Sequence, residues 1–117
     1  MRRLIVVALL LAGGACSKPR AKAPVNIPSV TVEQVGQQLA RGECQPVDAN
    51  EPPTRERMGV IPGAVLLSDE ETYKIGELPS DKARPLVFYC ANSACGASHE
   101  AAERAASAGY THVEVMP

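Results

Sequence analysis

The chain has 117 residues and a formal net charge of −1, with 12 Lys and Arg against 13 Asp and Glu. A chain of this length usually forms one domain, and 45% hydrophobic with 21% charged residues is an ordinary globular composition. The lack of a basic excess argues against nucleic acid as a partner. The four cysteines are unevenly spaced, without a C-x2-C pair, so neither a disulfide scaffold nor a zinc site of usual spacing is predicted.

Residues 1–15 are predicted to be a secretory signal peptide that the mature chain lacks. A basic start at 1–3 precedes an apolar run at 4–12, which is too short to span a bilayer, and small residues follow at 13–15. Residues 16–29 combine prolines with basic residues and are predicted to form an extended tether. The folded domain is therefore expected at 30–117.

Cys16 follows the small residues in a way that resembles a bacterial lipoprotein signal. The resemblance implies that Cys16 is lipidated and anchors the mature chain to a membrane. Ser17, where an Asp would retain the chain at the inner membrane, implies the outer membrane and the periplasmic side of the bacterial cell envelope. Gly13 stands where that signal usually has Leu, so plain secretion and a retained anchor stay open. Either route leads to an oxidising compartment.

The first half of the domain is predicted to alternate helix and strand. Thr31 and Gln34 fit a capping box, apolar residues fall on one face of the next ten positions, and Gly42 ends a helix at 32–41. A strand at 45–49 follows. A helical turn at 54–58 and a second strand at 65–67 come next, before an acidic, irregular stretch at 68–82 with a helical turn near 72–75.

The second half repeats that alternation. Residues 86–89 are apolar throughout, as in a central parallel strand, and a run of small residues separates them from an alanine-rich helix. Ser98 is predicted to cap that helix, with Glu100 in its first turn and Gly109 at its end. A last strand is predicted at 112–115. Strands that alternate with helices indicate an α/β fold with a parallel sheet.

Cys90 lies directly after the central strand and before the alanine-rich helix. The free N–H groups and the dipole at a helix N-terminus favour a thiolate there, which makes Cys90 a candidate nucleophile. The alternative is a buried strand cysteine without a chemical role. Cys95, five residues later, is either its redox partner or an ordinary loop residue.

The order of these pieces resembles a rhodanese-like domain. Four stretches carry the resemblance: VDANE at 47–51, VIPGA at 60–64, FYC at 88–90, and SHEAA at 98–102 with AGYTHV at 108–113. The resemblance implies a parallel five-stranded sheet with helices on both faces. Family members continue beyond the position of Pro117 with a final helix, so either the sequence is truncated or one face of the sheet is less covered than usual.

The resemblance also implies a sulfurtransferase or sulfur carrier that needs no metal or organic cofactor. Cys90 would take a sulfane sulfur from a small sulfur-containing anion such as thiosulfate and pass it to a thiol acceptor. The loop and helix start after it would hold the persulfide through backbone N–H groups. These substrate-binding residues are Ala91, Asn92, Ser93, Ala94, Cys95, Gly96, Ala97 and Ser98.

The loop differs from the family pattern in length and charge. Seven residues separate Cys90 from Ser98, where the family has five, and the family's Arg is absent. Thiosulfate would therefore meet only backbone dipoles, with His99 as the one nearby group that could add positive charge. Asp48 is expected beside the site, either in an ion pair with Arg55 or Arg104 or in catalysis.

Two other functions stay open. The missing loop Arg favours a non-catalytic rhodanese-like binding module in the cell envelope. The second cysteine favours a thiol redox or soft-metal site built from Cys90 and Cys95.

Overall fold

The structure is a computed structural model that describes residues 26–91 and 95–117. The predicted signal peptide, Cys16, the tether up to residue 25, and the loop residues Asn92, Ser93 and Ala94 lie outside the described residues. Within the two described ranges, no helix is long and apolar enough to cross a membrane.

Helices and strands alternate along the described chain. The helices are α1 (Val32–Ala40), α2 (Pro52–Met58) and α3 (Ala97–Ser107), with a short 3₁₀ turn at Ile75–Glu77. The strands are β1 (Gln45–Asp48), β2 (Val65–Leu66), β3 (Leu86–Tyr89) and β4 (Val113–Met116). All strand pairs are parallel, in the order β2-β1-β3-β4, so the predicted α/β fold with a parallel sheet is confirmed.

The described sheet has four strands, and the place of the expected fifth is held by an isolated bridge. Ser29 pairs in parallel with Val115 on the outer edge of β4. The N–H of Val30 donates to the carbonyl of Val115, whose own N–H donates to the carbonyl of Pro28. Pro28 has no N–H to extend this ladder, which accounts for a bridge in place of a full strand.

The two faces of the sheet bury two apolar clusters, and the alternation of side chains along β3 separates them. Leu86 and Phe88 are fully buried against Ala101, Ala102 and Ala105 of α3. The small alanine side chains let α3 lie close to the sheet. Burial of a side chain as large as Phe88 contributes about 1.5–3 kcal/mol.

The opposite face of the sheet is covered by α1. Val87 packs there with Val35 of α1 and with Cys44, which precedes β1. The predicted capping box sets the start of this helix. The N–H of Gln34 donates to Oγ1 of Thr31 at 3.1 Å, and the N–H of Thr31 donates to Oε1 of Gln34 at 2.9 Å. Helices therefore lie on both faces, as expected.

Several predicted boundaries were displaced. Helix α2 begins at Pro52, earlier than the predicted turn, because a proline is well tolerated in the first turn of a helix. The helical turn expected near 72–75 forms at Ile75–Glu77.

The prediction that Ser98 caps α3 was wrong. Gly96 is the cap residue, and the helix has no side-chain cap hydrogen bond. Ser98 lies inside the first turn of α3 and is 1% exposed. Its hydroxyl is therefore buried in the domain and does not cap the backbone N–H groups of the helix.

Candidate functional site

The sulfur of Cys90 lies between the end of β3 and the start of α3. Cys90 follows Tyr89, the last residue of β3, and is half-buried. Its Sγ is 3.5 Å from Oγ of Ser98 and 3.4 Å from the carbonyl oxygen of Cys95. The Ser98 hydroxyl is thus placed to donate to this sulfur. The strand and the helix that sequence analysis set on either side of Cys90 are both present.

Cys90 and Cys95 form a disulfide, with Cα atoms 6.3 Å apart, which lies within the range that disulfides allow. The structure therefore brings together the two cysteines that the sequence paired as candidate redox partners. Cys44 is the free cysteine among the described residues, and it is buried behind α1. Burial raises the pKa of the Cys44 thiol, and the charge of Glu114 adds to the rise, so Cys44 is suited to packing and not to nucleophilic chemistry.

The carboxylate of Asp48, at the end of β1, is fully buried and organises the edge of the sheet near Cys90. Its Oδ1 accepts from the backbone N–H of Asn50 at 2.7 Å, and its Oδ2 accepts from the hydroxyl of Tyr89 at 3.0 Å. The same hydroxyl accepts from the N–H of Ile61 at 3.0 Å. Burial raises the pKa of Tyr89 from 10.0 to about 12, and the hydrogen bond to Asp48 adds to the rise.

Arg55 of α2 is the charged partner of Asp48. Its Nε lies 3.4 Å from Oδ1 of Asp48 but has no hydrogen-bond partner, so this contact is an ion pair without an aligned hydrogen bond. Its Nη2 donates to the carbonyl oxygens of Asp48 at 3.0 Å and Leu67 at 2.8 Å. Arg104, the other candidate, donates to the carbonyl of Tyr73 instead. Asp48 thus lies in a structural ion pair.

Asn50 connects this network to the loop after Cys90. Its Oδ1 accepts from the backbone N–H of Ala91 at 2.8 Å, and Asn50 itself is 8% exposed. The first N–H of the predicted cradle is therefore engaged by a side chain. Asn50 was not among the predicted site residues, although its place two residues after the end of β1, in the stretch VDANE, indicates a position near the site.

Two cavities border the site, and both are lined by Asn50 and Ala91. The first, of about 420 Å³, contains Cys90. It is otherwise lined by Met58, Gly59, Val60, Ile61, Pro62, Tyr89 and Met116. The second, of about 500 Å³, contains Cys95 and polar or charged residues, among them Arg57 and Glu70. Cys90 and Cys95 thus line cavities of different polarity.

The remaining predicted site residues have separate positions. Gly96 and Ala97 line the second cavity. His99 is exposed in the first turn of α3 and lines neither of these two cavities. In residues 26–91 and 95–117, no group of three or more His, Cys, Asp or Glu side chains is arranged to hold a metal ion.

Comparisons with known proteins agree with this architecture. The family model for the rhodanese-like domain matches residues 31–117. The fold is similar to that of the human single-domain sulfurtransferase TSTD1, with a TM-score of 0.59 and 21% identity over 78% of this chain and 89% of that one. It is also similar to an uncharacterised protein from Saccharomyces cerevisiae, with a TM-score of 0.57 and 21% identity over 80% of this chain and 87% of that one. No curated protein matches the chain significantly in sequence. Because the family model covers most of its length, the chain belongs to the rhodanese-like domain family.

Proposed function

We propose that the protein is a sulfurtransferase or sulfur carrier that holds a sulfane sulfur as a persulfide on Cys90. Family membership supports the reaction class. The observation that carries the assignment to Cys90 is its sulfur position, 3.5 Å from the buried hydroxyl of Ser98 in the first turn of an 11-residue helix. Free N–H groups and the positive end of the helix dipole at that turn stabilise a thiolate and a persulfide anion.

The proposed reaction has two transfers. The Cys90 thiolate attacks the outer sulfur of the donor, a new sulfur–sulfur bond forms, and the old bond breaks with its electron pair on the leaving group, which is sulfite when thiosulfate is the donor. A thiolate acceptor then attacks the outer sulfur of the Cys90 persulfide and releases the Cys90 thiolate. No net oxidation occurs over the cycle, so no cofactor is required.

Mass spectrometry of the reduced protein after incubation with a sulfane donor tests the proposal. The expected result is a gain of one sulfur atom on Cys90. Cys90→Ser should lose this gain, whereas Cys44→Ser, which removes the buried cysteine on the opposite face of the sheet, should keep it. Full sulfur transfer by Cys90→Ser would refute the proposal. A protein that takes up sulfur from no donor would instead fit a non-catalytic binding module.

The disulfide with Cys95 favours thiol redox chemistry as a second candidate function. The Cys95 thiolate would attack Sγ of the Cys90 persulfide, form the Cys90–Cys95 bond and release hydrosulfide. Each release would leave one disulfide, which an external dithiol must reduce before the next cycle. Detection of hydrosulfide in an amount equal to the disulfide formed, and its loss in Cys95→Ser, would identify this route.

We also propose that residues 1–15 are removed, that Cys16 is lipidated, and that the segment from 16 to 25 tethers the folded domain to the periplasmic side of a bacterial envelope, most simply the outer membrane. The support is the resemblance of the segment to a lipoprotein signal. Metabolic labelling with palmitate and detergent partitioning of the wild type and Cys16→Ser test this location. Equal labelling of the two proteins would contradict it.

A further inference from the structure

We propose that the donor that loads Cys90 is an organic persulfide with an uncharged, apolar body, and that the site discriminates against anionic donors such as thiosulfate. This inference rests on the proposed sulfurtransferase function and names the substrate class of the same site.

The cavity beside Cys90 has the size and the surface of a binding site for a small apolar molecule. Its volume of about 420 Å³ falls in the range of ordinary small-molecule sites. Met58 is 64% exposed and Val60 is 44% exposed, so two large apolar side chains face solvent at the mouth of the cavity. Ile61, Pro62 and Met116 continue this surface. An apolar donor body would remove this surface from water, which is favourable.

The described lining of the same cavity offers an anionic donor no charged side chain to pair with. No charged side chain is among its described lining residues, and residues 91–98 include neither Lys nor Arg. The guanidinium of Arg55 is held by the carboxylate of Asp48 and two carbonyl oxygens. Arg57 lines the other cavity, together with Glu51 and Glu70. An anion that entered the first cavity would lose its hydration without gaining a counter-charge, which is unfavourable.

Acidic side chains near the start of α3 oppose an anionic donor further. Glu100 lies in the first turn of the helix, close enough to Glu71 that the charge of Glu71 raises the pKa of Glu100. Glu70 and Glu103 contribute to the same rise. Negative charge at this end of α3 counteracts the attraction that a helix N-terminus offers an anion.

The loading step balances with this donor class. The Cys90 thiolate attacks the outer sulfur of a hydropersulfide, R–S–SH. The sulfur–sulfur bond of the donor breaks, and its electron pair leaves with R–S⁻. Cys90 then carries –S–SH, and the proton stays on the transferred sulfur. The reduced form of the protein is required, because the Cys90–Cys95 disulfide must be opened before Cys90 can act as a nucleophile.

Two matched probes separate charge from intrinsic reactivity: benzyl hydropersulfide, and the same molecule with a carboxylate in the para position of the ring. The full-length protein is reduced, freed of reductant and mixed with each probe, and the initial rate of sulfur gain on Cys90 is followed by mass spectrometry. We expect the probe without the carboxylate to react at least about tenfold faster, which corresponds to about 1.4 kcal/mol. Equal rates for the two probes would overturn the inference.

Val60→Lys places a positive charge at the mouth of the cavity and should accelerate the carboxylated probe severalfold, narrowing the discrimination. Val32→Lys is the matched control, because Val32 is an equally simple apolar side chain, 65% exposed, on α1 and not among the lining residues of this cavity. An unchanged ratio of the two loading rates in Val60→Lys, with thermal unfolding like that of the control, would count against the inference.

If both probes load Cys90 equally, the sulfurtransferase function survives and only the donor class fails. If neither probe nor thiosulfate loads Cys90, both fail.

Discussion

The side-chain oxygen of Asn50 accepts a 2.8 Å hydrogen bond from the backbone N–H of Ala91, the residue that follows Cys90. The N–H of Asn50 in turn donates to the buried carboxylate of Asp48. The loops that leave the neighbouring strands β1 and β3 are thereby joined at the carboxyl edge of the sheet, which is the usual place for sites in open α/β sheets. The position of Cys90 therefore depends on residues some forty positions earlier in the chain.

Asn50→Ala should leave the N–H of Ala91 without its partner and loosen the loop at Cys90. We expect the free energy of unfolding to fall by about 1 kcal/mol and sulfur loading of Cys90 to slow severalfold. Asn50→Asp keeps an acceptor oxygen but adds a negative charge, so its stability should be closer to that of the wild type. Alkylation of its reduced Cys90 at pH 7 should still be slower, because a like charge disfavours the thiolate. Iodoacetamide kinetics and urea unfolding measure both effects. Unchanged alkylation in Asn50→Asp would contradict this account.

Arg55→Ala should be strongly destabilising, because it leaves the fully buried carboxylate of Asp48 without its ion partner. The expected loss is about 3–5 kcal/mol in the free energy of unfolding. Arg104→Ala is the matched control. Arg104 is exposed, donates to the carbonyl of Tyr73 and lies above the ring of the same residue. Its replacement should lower the free energy of unfolding by about 1 kcal/mol. Urea unfolding measures both losses of free energy. Similar losses in the two variants would show that the buried Arg55–Asp48 pair contributes no more than the exposed contact of Arg104.

Mild oxidation should form the disulfide within one chain and leave Cys44 reduced. Cys90 and Cys95 fall on one tryptic peptide, residues 83–104, so the oxidised peptide should weigh two hydrogens less than the reduced one and resist alkylation. Cys44 should become alkylated only on unfolding, since it is 4% exposed. Cys95→Ser should remain fully alkylatable at residue 90 after oxidation. A linkage between two chains, or none, would contradict this pairing.

Alkali should destabilise the protein between about pH 10 and 12. The native state holds the phenolic proton of Tyr89 up to a pKa of about 12, whereas an unperturbed tyrosine loses it near 10. The native state therefore binds more protons than the unfolded chain in this window, and the free energy of unfolding falls as the pH rises. Burial gives Tyr73 the same shift, to about 12.

Urea unfolding of the wild type, Tyr89→Phe and Tyr73→Phe at pH 8 and pH 11 measures the two contributions. Each variant should lose part of the pH dependence, because each lacks one of the two shifted phenols. If the wild type has the same free energy of unfolding at the two pH values, the raised pKa values of the two tyrosines are refuted.

The sequence by itself determined the class of fold and the place of the central cysteine. Short-range rules were sufficient for this, because helix periodicity, the capping box at Thr31 and Gln34, and the apolar strand Leu86–Tyr89 are all local features. The same local reasoning misplaced the cap of α3. The hydroxyl of Ser98 lies inside the domain beside Sγ of Cys90, a contact that capping rules do not take into account.

Only the tertiary structure decided the partners across the site. Arg55, rather than Arg104, pairs with Asp48, and Asn50 holds Ala91. The apolar cavity at Cys90 and the polar cavity at Cys95 also depend on α2 and the turn after it, which supply lining residues to them. These contacts join residues far apart in the chain, and they form only when the strands have the right order and register. Strand order and register follow from the packing of the whole domain, so rules that use only neighbouring residues do not predict them.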